Sequence, residues 1–530
     1  MPKSIVLRGM RAAAAVLALA TGAALSNAST QQAPVIRVEN GALRGKVVND
    51  GGQFLGIPFA APPVGKLRWM PPAEAEPWTG VRDASKFANH CAQMDRGIFT
   101  MPSDTEDCLY LNVFTPKADV TAGAKLPVMV WFYGGGLFSG ESDDYDGSKL
   151  AKRGNVIVVT FNYRVGALGF LSHPAINAEG HPYANYGIMD QQAALRWVNR
   201  NIAAFGGDAG NVTLFGQSGG GTSVMANLAS PTAKGLFHRV INQSGTRIKI
   251  TSPETALHAG EEFAKKAGCE NQTADCLRKL SVADVIKFQD PILKYVTEYP
   301  SVDGTIITQP AVTSYESGNF NRVPIMTGLV QDEQSFFMSE VRGGKPMTAD
   351  GYAKYVLTYG SGNKAAIEAA YPLDKYASPS LAVIGIAQGA KVSTARMLAR
   401  EWSKYVPVYV YEFRDRTVPS YYPPMSFPMR AYHTAELLYL FPGFRGARGS
   451  EQTLDAEQNK LSDLMIDYWT SFARTGTPSA PVDGKYVEAA WSKYSADKDN
   501  AQYLDLKGAH QKTGYGADYH ADLWDTTSVH

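Results

Sequence analysis

The sequence has few cysteines, almost no net charge and, after its first residues, no hydrophobic run long enough to cross a membrane. Its 530 residues include four cysteines and carry a formal net charge of +1. This balance offers no electrostatic reason to expect binding to nucleic acid or to an anionic membrane surface. The sequence contains no low-complexity linker and no internal repeat. Length alone would suggest about three domains. Because no linker or repeat is seen, one large domain with insertions is equally expected.

Residues 1–28 have the pattern of a secretory signal peptide. Three basic side chains precede an uncharged stretch rich in alanine and leucine, residues 12–25, and residues 26–28 form a small-residue cleavage site. The apolar stretch is shorter than the ~20 residues that a spanning helix needs, although an uncleaved membrane anchor is the alternative. We expect a mature chain, residues 29–530, that is secreted or periplasmic and has no anchor after cleavage.

The four cysteines are Cys91, Cys108, Cys269 and Cys276. They suit export into an oxidising compartment, and four cysteines allow three pairings. Closeness in sequence favours Cys91 with Cys108 and Cys269 with Cys276, each closing a local loop. A metal site is the competing interpretation, but the sequence has no Cys-x-x-Cys motif and no histidine cluster beside either pair. We expect no metal and no organic cofactor.

The most informative stretch is residues 211–221, where an apolar run leads to a Gly-x-Ser-x-Gly motif centred on Ser218. A segment able to form a helix follows at residues 222–228. This order is typical of a nucleophile elbow, in which a serine occupies a sharp, strained turn between a strand and a helix. In a chain with 50 glycines, a glycine-rich turn with a bystander serine is the alternative. As an elbow, the motif predicts a serine hydrolase.

A second glycine cluster follows a predicted buried strand. Residues 126–133 are almost continuously apolar, as expected of a strand buried on both faces, and residues 134–136 are all glycine. No Lys-Ser or Lys-Thr pair follows, which argues against a phosphate loop and leaves a plain turn as the alternative to a ligand-facing loop. A strand at 156–161 and a helix at 190–202 come next. This alternation predicts an α/β fold with ligands at the strand ends.

These motifs have the order and spacing of the type-B carboxylesterase and cholinesterase family, which the sequence resembles from residue 35 to residue 495. The resemblance is carried by residues 106–113, the three glycines at 134–136, residues 185–208 and the Ser218 motif. It implies an α/β-hydrolase fold, with a large, mostly parallel central sheet and helices on both faces. Helical insertions, expected at 254–287 and 349–404, would surround an active-site gorge. A single domain is then expected at 29–530.

The same resemblance implies the rest of a catalytic triad. The family's acid lies in a Gly-x-x-x-Asp-Glu stretch, and residues 328–333 match it, so Glu333 is the predicted acid and Asp332 the alternative. The family's histidine is matched by His433. Ser218, Glu333 and His433 then occur in the chain order of α/β hydrolases. Surface carboxylates and a structural histidine are the competing interpretations.

These residue types predict ester hydrolysis through an acyl-enzyme. Neutral His433 accepts the Ser218 proton, and ionised Glu333 fixes the imidazole tautomer and stabilises its charged form. The resemblance implies that the backbone amides of Gly135, Gly136 and Gly219 hold the oxyanion, where losing one donor typically costs about 3 kcal/mol. The alcohol leaves first, protonated by the histidine, and water then releases the acid.

Weaker matches concern supporting and substrate-binding residues. Ser244 and Glu436 match a second buried network near the histidine, with a plain buried hydrogen bond as the alternative. Arg247 falls where the family builds its acyl pocket, and it could face an acyl carboxylate or lie at a solvated rim. Residues 419–429 are rich in aromatic residues and proline, and could wall a gorge or pack under a loop. The candidate pocket residues are Leu137, Phe138, Arg247, Tyr421 and Tyr422.

Departures from the family narrow the expected substrate. Gln217 stands where many members have glutamate, and Gly219 where most have alanine. The loop between Cys91 and Cys108 has no tryptophan, the residue that binds the choline cation in cholinesterases. We therefore expect a general serine carboxylesterase (EC 3.1.1.-) acting on a small-molecule ester. An amide or lactone hydrolase with the same triad is one alternative, and a non-catalytic binding protein of the same fold is another.

Overall fold

The computed structural model describes residues 33–247, 251–296, 300–359 and 363–525, so the predicted signal peptide lies outside the described residues. The strands are β1 (Val35–Val38), β2 (Gly41–Arg44), β3 (Lys46–Val48), β4 (Gly51–Pro58), β5 (Val81–Asp83), β6 (Tyr110–Thr115), β7 (Leu126–Phe132), β8 (Ile157–Phe161), β9 (Gly207–Gln217), β10 (Arg239–Gln243), β11 (Ile325–Val330), β12 (Val408–Phe413), β13 (Ala501–Asp505) and β14 (Gly508–Lys512).

The α-helices are α1 (Ser148–Gly154), α2 (Gly166–Phe170), α3 (Pro174–Asn177), α4 (Tyr186–Asn201), α5 (Gly219–Ala229), α6 (Pro253–Lys266), α7 (Ala274–Lys279), α8 (Val282–Phe288), α9 (Asp290–Val296), α10 (Ala311–Glu316), α11 (Gln334–Arg342), α12 (Ala349–Tyr359), α13 (Lys364–Ala370), α14 (Pro379–Ser403), α15 (Leu437–Leu440), α16 (Ala456–Thr475) and α17 (Asp522–Asp525).

The main sheet has eleven strands in the order β14-β13-β12-β11-β10-β9-β7-β8-β6-β4-β3. From β13 to β8 in that order the neighbours pair in parallel. The strands at the two edges pair antiparallel. A separate three-stranded sheet contains β1, β2 and β5. The expected mostly parallel α/β sheet is confirmed.

The central strands are covered on both faces. Every residue of β8, β11 and β12 is buried, which for a parallel sheet requires packing against both surfaces. Helix α5 packs against β9 and β10, α16 against β7 and β9, and α14 against β11 and β12. The expected helical insertions are present as α6 to α8 and α12 to α14.

Local sequence signals explain several element boundaries. Asn49 and Asp50 join β3 to β4, and both have positive φ, as a tight hairpin with right-handed twist requires. Helix α16 begins at a capping box formed by Asp455 and Gln458 and ends at Gly476 with φ 79°. These short-range rules set the ends of elements that the sheet then packs together.

Two disulfides close local loops. Cys91 is bonded to Cys108 and Cys269 to Cys276, which confirms the predicted pairing. Among the described residues, no helix combines the length and hydrophobicity that crossing a membrane requires.

Candidate active site

The serine turn lies at the carboxyl end of β9, near the middle of the sheet. Ser218 has φ 59° and ψ −120° and immediately precedes α5, so a non-glycine residue adopts a strained backbone conformation there. A Cβ on Gly220 would lie 1.9 Å from the carbonyl oxygen of Phe132. The turn can therefore approach β7 only because this flanking residue is glycine. This is the local geometry expected of a nucleophile elbow.

The triglycine loop follows β7 and touches the serine turn. Gly135 and Gly136 have φ values of 108° and 67°, and a Cβ on Gly219 would lie 2.7 Å from the Gly136 nitrogen. Among the described residues, none accepts a hydrogen bond from the N–H groups of these three glycines. Arg247 Nη1 donates to the Gly136 carbonyl oxygen at 3.4 Å. The three predicted oxyanion donors are thus neighbours beside Ser218.

A short backbone pairing brings the predicted acid and histidine together. Asp332 forms an isolated parallel β-bridge with Tyr432, and the Asp332 N–H donates to the carbonyl oxygen of Ala431 at 2.9 Å. The next residue along each segment is Glu333 or His433. Their side chains form a buried hydrogen bond between His433 Nδ1 and Glu333 Oε2, as a triad requires.

The Glu333 carboxylate is fully buried and has a partner on each oxygen. Oε1 accepts from Ser244 Oγ at 2.5 Å and from the Val330 N–H at 3.1 Å, while Lys391 Nζ donates to Oε2 at 3.0 Å. Burial acts to raise the pKa of this carboxyl, but the Lys391 ammonium, His433 and the hydrogen bonds together lower it to about 2. These partners therefore favour the ionised form of Glu333.

Asp332, the alternative acid, faces a different partner. Its two carboxylate oxygens each accept a hydrogen bond of 2.8 Å from Arg416. This bidentate pair is the usual geometry of a structural arginine–carboxylate contact. Of the two carboxylates, only Glu333 contacts the histidine.

His433 is 2% exposed and lies between aromatic rings. The ring centroids of Phe336 and Phe337 are 5.3 and 4.8 Å from the imidazole centroid. Burial lowers the pKa of His433; Lys391 and Arg247 act in the same direction, and Glu333 opposes them. The neutral imidazole, which can act as a base, is the favoured form.

Gln217 lies beside the imidazole. Its amide nitrogen is 3.3 Å from Nε2 and 3.4 Å from Nδ1 of His433. Many members of the family that the sequence resembles have glutamate at this position, and a glutamate would add a negative charge next to the ring. Gln217 instead places a neutral amide there, so it does not stabilise the imidazolium as a carboxylate would.

Ser244 and Glu436, the two predicted supporting residues, have different hydrogen-bond partners. Ser244 has φ 56° in the turn after β10, and its hydroxyl is directed to Glu333. Glu436 instead accepts from Gln243 Nε2 at 3.4 Å, and Gln243 Oε1 accepts from Trp469 Nε1 at 3.1 Å. Burial, followed by the nearby Glu333 charge, raises the pKa of Glu436 to about 8.

Two cavities meet at the serine and the histidine. One has a volume of about 110 Å³ and the other about 330 Å³. Ser218, His433, Arg247 and Phe337 line both. A bound molecule could therefore extend to both sides of the serine.

Three of the five candidate pocket residues line the smaller cavity: Phe138, Arg247 and Tyr421. The other two, Leu137 and Tyr422, do not line this cavity or the larger one. Leu137 is fully buried in the hydrophobic core and has a left-handed backbone with φ 69°. Tyr422 stacks behind Tyr421 with ring centroids 4.5 Å apart, so it supports the wall without forming it.

Several residues of the site were not found from the sequence. Lys391 contacts the triad acid, and Glu141, Asp144 and Arg96 line the smaller cavity. Burial, followed by the charges of neighbouring acids, raises the pKa of Glu141 to about 8. Burial raises the pKa of Asp144 to about 7. In the sequence, Glu141 and Asp144 are marked only by their position in a short acidic stretch after the three glycines, and nothing in the local sequence marks Lys391.

Among the described residues, no three His, Cys, Asp or Glu side chains are grouped so that they could hold a metal ion.

Comparisons with known proteins agree over nearly the whole chain. The model of the carboxylesterase family matches residues 32–522. A medium-chain fatty acyl-CoA hydrolase precursor from Anas platyrhynchos is 33% identical over 503 residues, covering 84% of this chain and 85% of that protein. Para-nitrobenzyl esterase from Bacillus subtilis (strain 168) is 33% identical over 487 residues, covering 89% and 94%.

Solved structures also resemble this chain over most of its length. A PNB esterase structure superimposes with a TM-score of 0.78 at 30% identity, covering 93% of this chain and 99% of that one. A thermophilic PNB esterase gives a TM-score of 0.78, also at 30% identity, with 93% and 100% covered. The chain therefore belongs to the type-B carboxylesterase family of α/β hydrolases, and it is a carboxylic ester hydrolase.

Proposed function

We propose that the protein is a secreted general carboxylesterase that works through an acyl-enzyme on Ser218. The proposal is carried by one observation: the nucleophile, the base and the acid form one continuous site. Ser218 and His433 line the same two cavities, and His433 is hydrogen-bonded to a buried, ionised Glu333. This is the arrangement of nucleophile, base and orienting acid that acyl transfer needs.

In the proposed reaction, His433 takes the Ser218 proton as the hydroxyl attacks the ester carbonyl. The developing oxyanion is held by the N–H groups of Gly135, Gly136 and Gly219. His433 then protonates the departing alcohol. A water molecule, activated by the same imidazole, attacks the acyl-enzyme and releases the acid. Glu333 stays ionised throughout and stabilises the transient imidazolium.

A panel of p-nitrophenyl esters and matching p-nitroanilides, assayed with residues 29–530, tests this proposal. Turnover of the esters, with little or no turnover of the anilides, supports an esterase. Preferential cleavage of the anilides would favour the amidase alternative. If the wild-type protein is inert on every substrate and is not labelled by a serine-directed phosphonate, a binding protein of the same fold becomes the better explanation.

We further propose that residues 1–28 are removed on export and that residues 29–530 form one domain. The two disulfides suit an oxidising compartment, and the family model begins at residue 32 and continues to residue 522. N-terminal sequencing of the exported protein checks the cleavage site.

The pH dependence of the reaction follows from His433. Because burial lowers the pKa of the imidazole, the active neutral form is expected to persist below the ordinary histidine pKa of about 6.5. We predict that kcat/KM for a small neutral ester is level near pH 7 and falls on the acid side with a midpoint below that value. An acid midpoint above pH 7, or equal turnover at pH 5 and pH 8 with chemistry rate-limiting, would contradict this role.

The larger cavity suits the acid part of an ester that carries a second carboxylate. Arg247 and Lys391 both line it, and none of the residues that line it is Asp or Glu. In the smaller cavity, Arg96 lies over the Phe138 ring at 4.2 Å. Glu141 and Asp144 line the same cavity, so the charge preference rests on the larger cavity. We therefore propose neutral or anionic esters as the substrate class.

Replacing Arg247 with glutamine tests this substrate class. For p-nitrophenyl esters matched in acyl length, with and without a terminal carboxylate, Arg247→Gln should lower kcat/KM for the carboxylated ester by about tenfold relative to the neutral one. Arg96→Gln is the matched control, because Arg96 lines only the smaller cavity of the two. It should leave the ratio unchanged. An unchanged ratio in Arg247→Gln would reject the acyl carboxylate contact.

A further inference from the structure

Lys391 contacts the triad acid directly. It lies on α14, and its Nζ donates to Glu333 Oε2 at 3.0 Å. The lysine side chain is 11% exposed and the glutamate side chain 0%. Nζ also lies 5.2 Å from the centroid of the Phe337 ring. Oε2 is the oxygen that accepts from His433, so the ammonium and the imidazole share one acceptor atom.

We propose that Lys391 is a positioning residue that keeps Glu333 charged and aimed at His433. The inference rests on the proposed triad. With Oε1 held by Ser244 and the Val330 N–H, and Oε2 held by Lys391, the carboxylate cannot rotate without losing a charge-assisted hydrogen bond. The imidazole therefore meets an oxygen whose position is already determined.

The helix that carries Lys391 is anchored to the same segment. Gln388 lies one turn earlier on α14, and its Nε2 donates to the carbonyl oxygen of Val330 at 3.1 Å. Residues three apart lie on one face of a helix. Gln388 thus contacts the end of β11, and Lys391 contacts Glu333, three residues farther along the chain. The spacing of Gln388 and Lys391 on α14 therefore brings the Lys391 ammonium to the Glu333 carboxylate.

The charge of Lys391 also has a specific effect on the base. A buried carboxylate without a cation tends to become protonated, or else to raise the pKa of the histidine that it contacts. The other titratable or charged groups near the pair are Arg247, which disfavours the imidazolium, and Glu436, whose pKa is raised by burial and then by the charge of Glu333. Burial, followed by the charges of Glu436 and Glu333, raises the pKa of Tyr411. Lys391 is the cation in direct contact with Glu333, and it opposes charging of His433.

The test compares Lys391→Met with Lys391→Arg, using a neutral p-nitrophenyl ester so that substrate charge plays no part. We expect the acid limb of the kcat/KM profile in Lys391→Met to move up by about one pH unit. At pH values below the acid midpoints of both wild type and variant, this shift lowers kcat/KM about tenfold, with KM little changed. Lys391→Arg should restore most of the wild-type profile. Lys404→Met, a surface lysine just after α14, is the control and should behave as wild type.

Rates are expressed per serine titrated by phosphonate, so that partial unfolding does not imitate the effect. An active wild type whose acid limb is unmoved in Lys391→Met overturns this inference alone, whereas an inactive, unlabelled wild type overturns the triad itself. If Lys391→Met does not fold, the thermal stabilities of Glu333→Gln and of the Glu333→Gln/Lys391→Met double variant decide. We expect Lys391→Met to be tolerated once Glu333 is neutral. A double variant that remains unfolded would show a general packing role and reject the proposal.

Discussion

Ser218→Ala is expected to lower kcat for p-nitrophenyl esters by about 10⁶-fold. The alanine removes the only atom that attacks the substrate in the proposed mechanism, and the remaining histidine and acid have no nucleophile to activate. What remains, about 10³-fold over the reaction in water, comes from the oxyanion donors and substrate binding. Steady-state assays with residues 29–530 measure the loss. Phosphonate labelling followed by mass spectrometry should identify Ser218 in the wild type and no labelled serine in the variant.

The matched control for this prediction is Ser223→Ala. Ser223 lies on α5, the helix that follows Ser218; its hydroxyl donates to the carbonyl oxygen of Gly219 at 3.1 Å and accepts from Gln191 Nε2 at 2.9 Å. Because Ser223 lines neither cavity, its loss should leave Ser218 reactive toward the phosphonate. If Ser218→Ala keeps a wild-type rate while Ser223→Ala is inert, the assignment of the nucleophile is wrong.

Glu333→Gln is expected to lower kcat by about 10⁴-fold while leaving the fold intact. The amide can offer an N–H to His433 where a carboxylate oxygen is needed, so it favours the wrong imidazole tautomer and cannot stabilise the imidazolium. The substitution also leaves the Lys391 ammonium without its carboxylate. We expect KM to change little, because Glu333 does not line either cavity. Stopped-flow and steady-state kinetics separate kcat from KM.

Asp332→Asn is the natural comparison, since it is the adjacent carboxylate and the alternative acid in the same motif. Its partner, Arg416, is 47% exposed in its side chain, and asparagine keeps one oxygen that can accept a hydrogen bond from it. Activity should stay within about threefold of wild type. A larger loss in Asp332→Asn than in Glu333→Gln would exchange the roles of the two carboxylates.

Much of the fold follows from signals that act over a few residues. The apolar run at 126–133 corresponds to β7, Leu126–Phe132, and the predicted helix at 190–202 to α4, Tyr186–Asn201. The helix begins four residues earlier than predicted because Tyr186 to Met189 are buried against the core. Burial of this kind depends on neighbours distant in sequence. Periodicity therefore identifies an element better than it locates its ends.

The residues of the site also differ in whether a sequence motif identifies them. Ser218 and the glycines could be found because the turn itself demands them, and Glu333 and His433 through motifs shared with a family. Leu137 follows the predicted oxyanion loop directly in sequence, but it is buried in the core. The partner of Ser244 is Glu333, although the matched motif suggested Glu436. Spacing along the chain does not determine which of two nearby carboxylates a hydroxyl reaches.

By itself the sequence determined the paired cysteines, the alternation of strands and helices and the serine turn, and the export signal at residues 1–28 stays a prediction from it. Each depends on composition or on local backbone geometry. Only the tertiary structure decided that two cavities share Ser218 and His433, and that Lys391 contacts Glu333 from 58 residues away. The physical reason is that a buried ion pair between distant segments depends on how α14 packs against β11, and no local pattern encodes that packing.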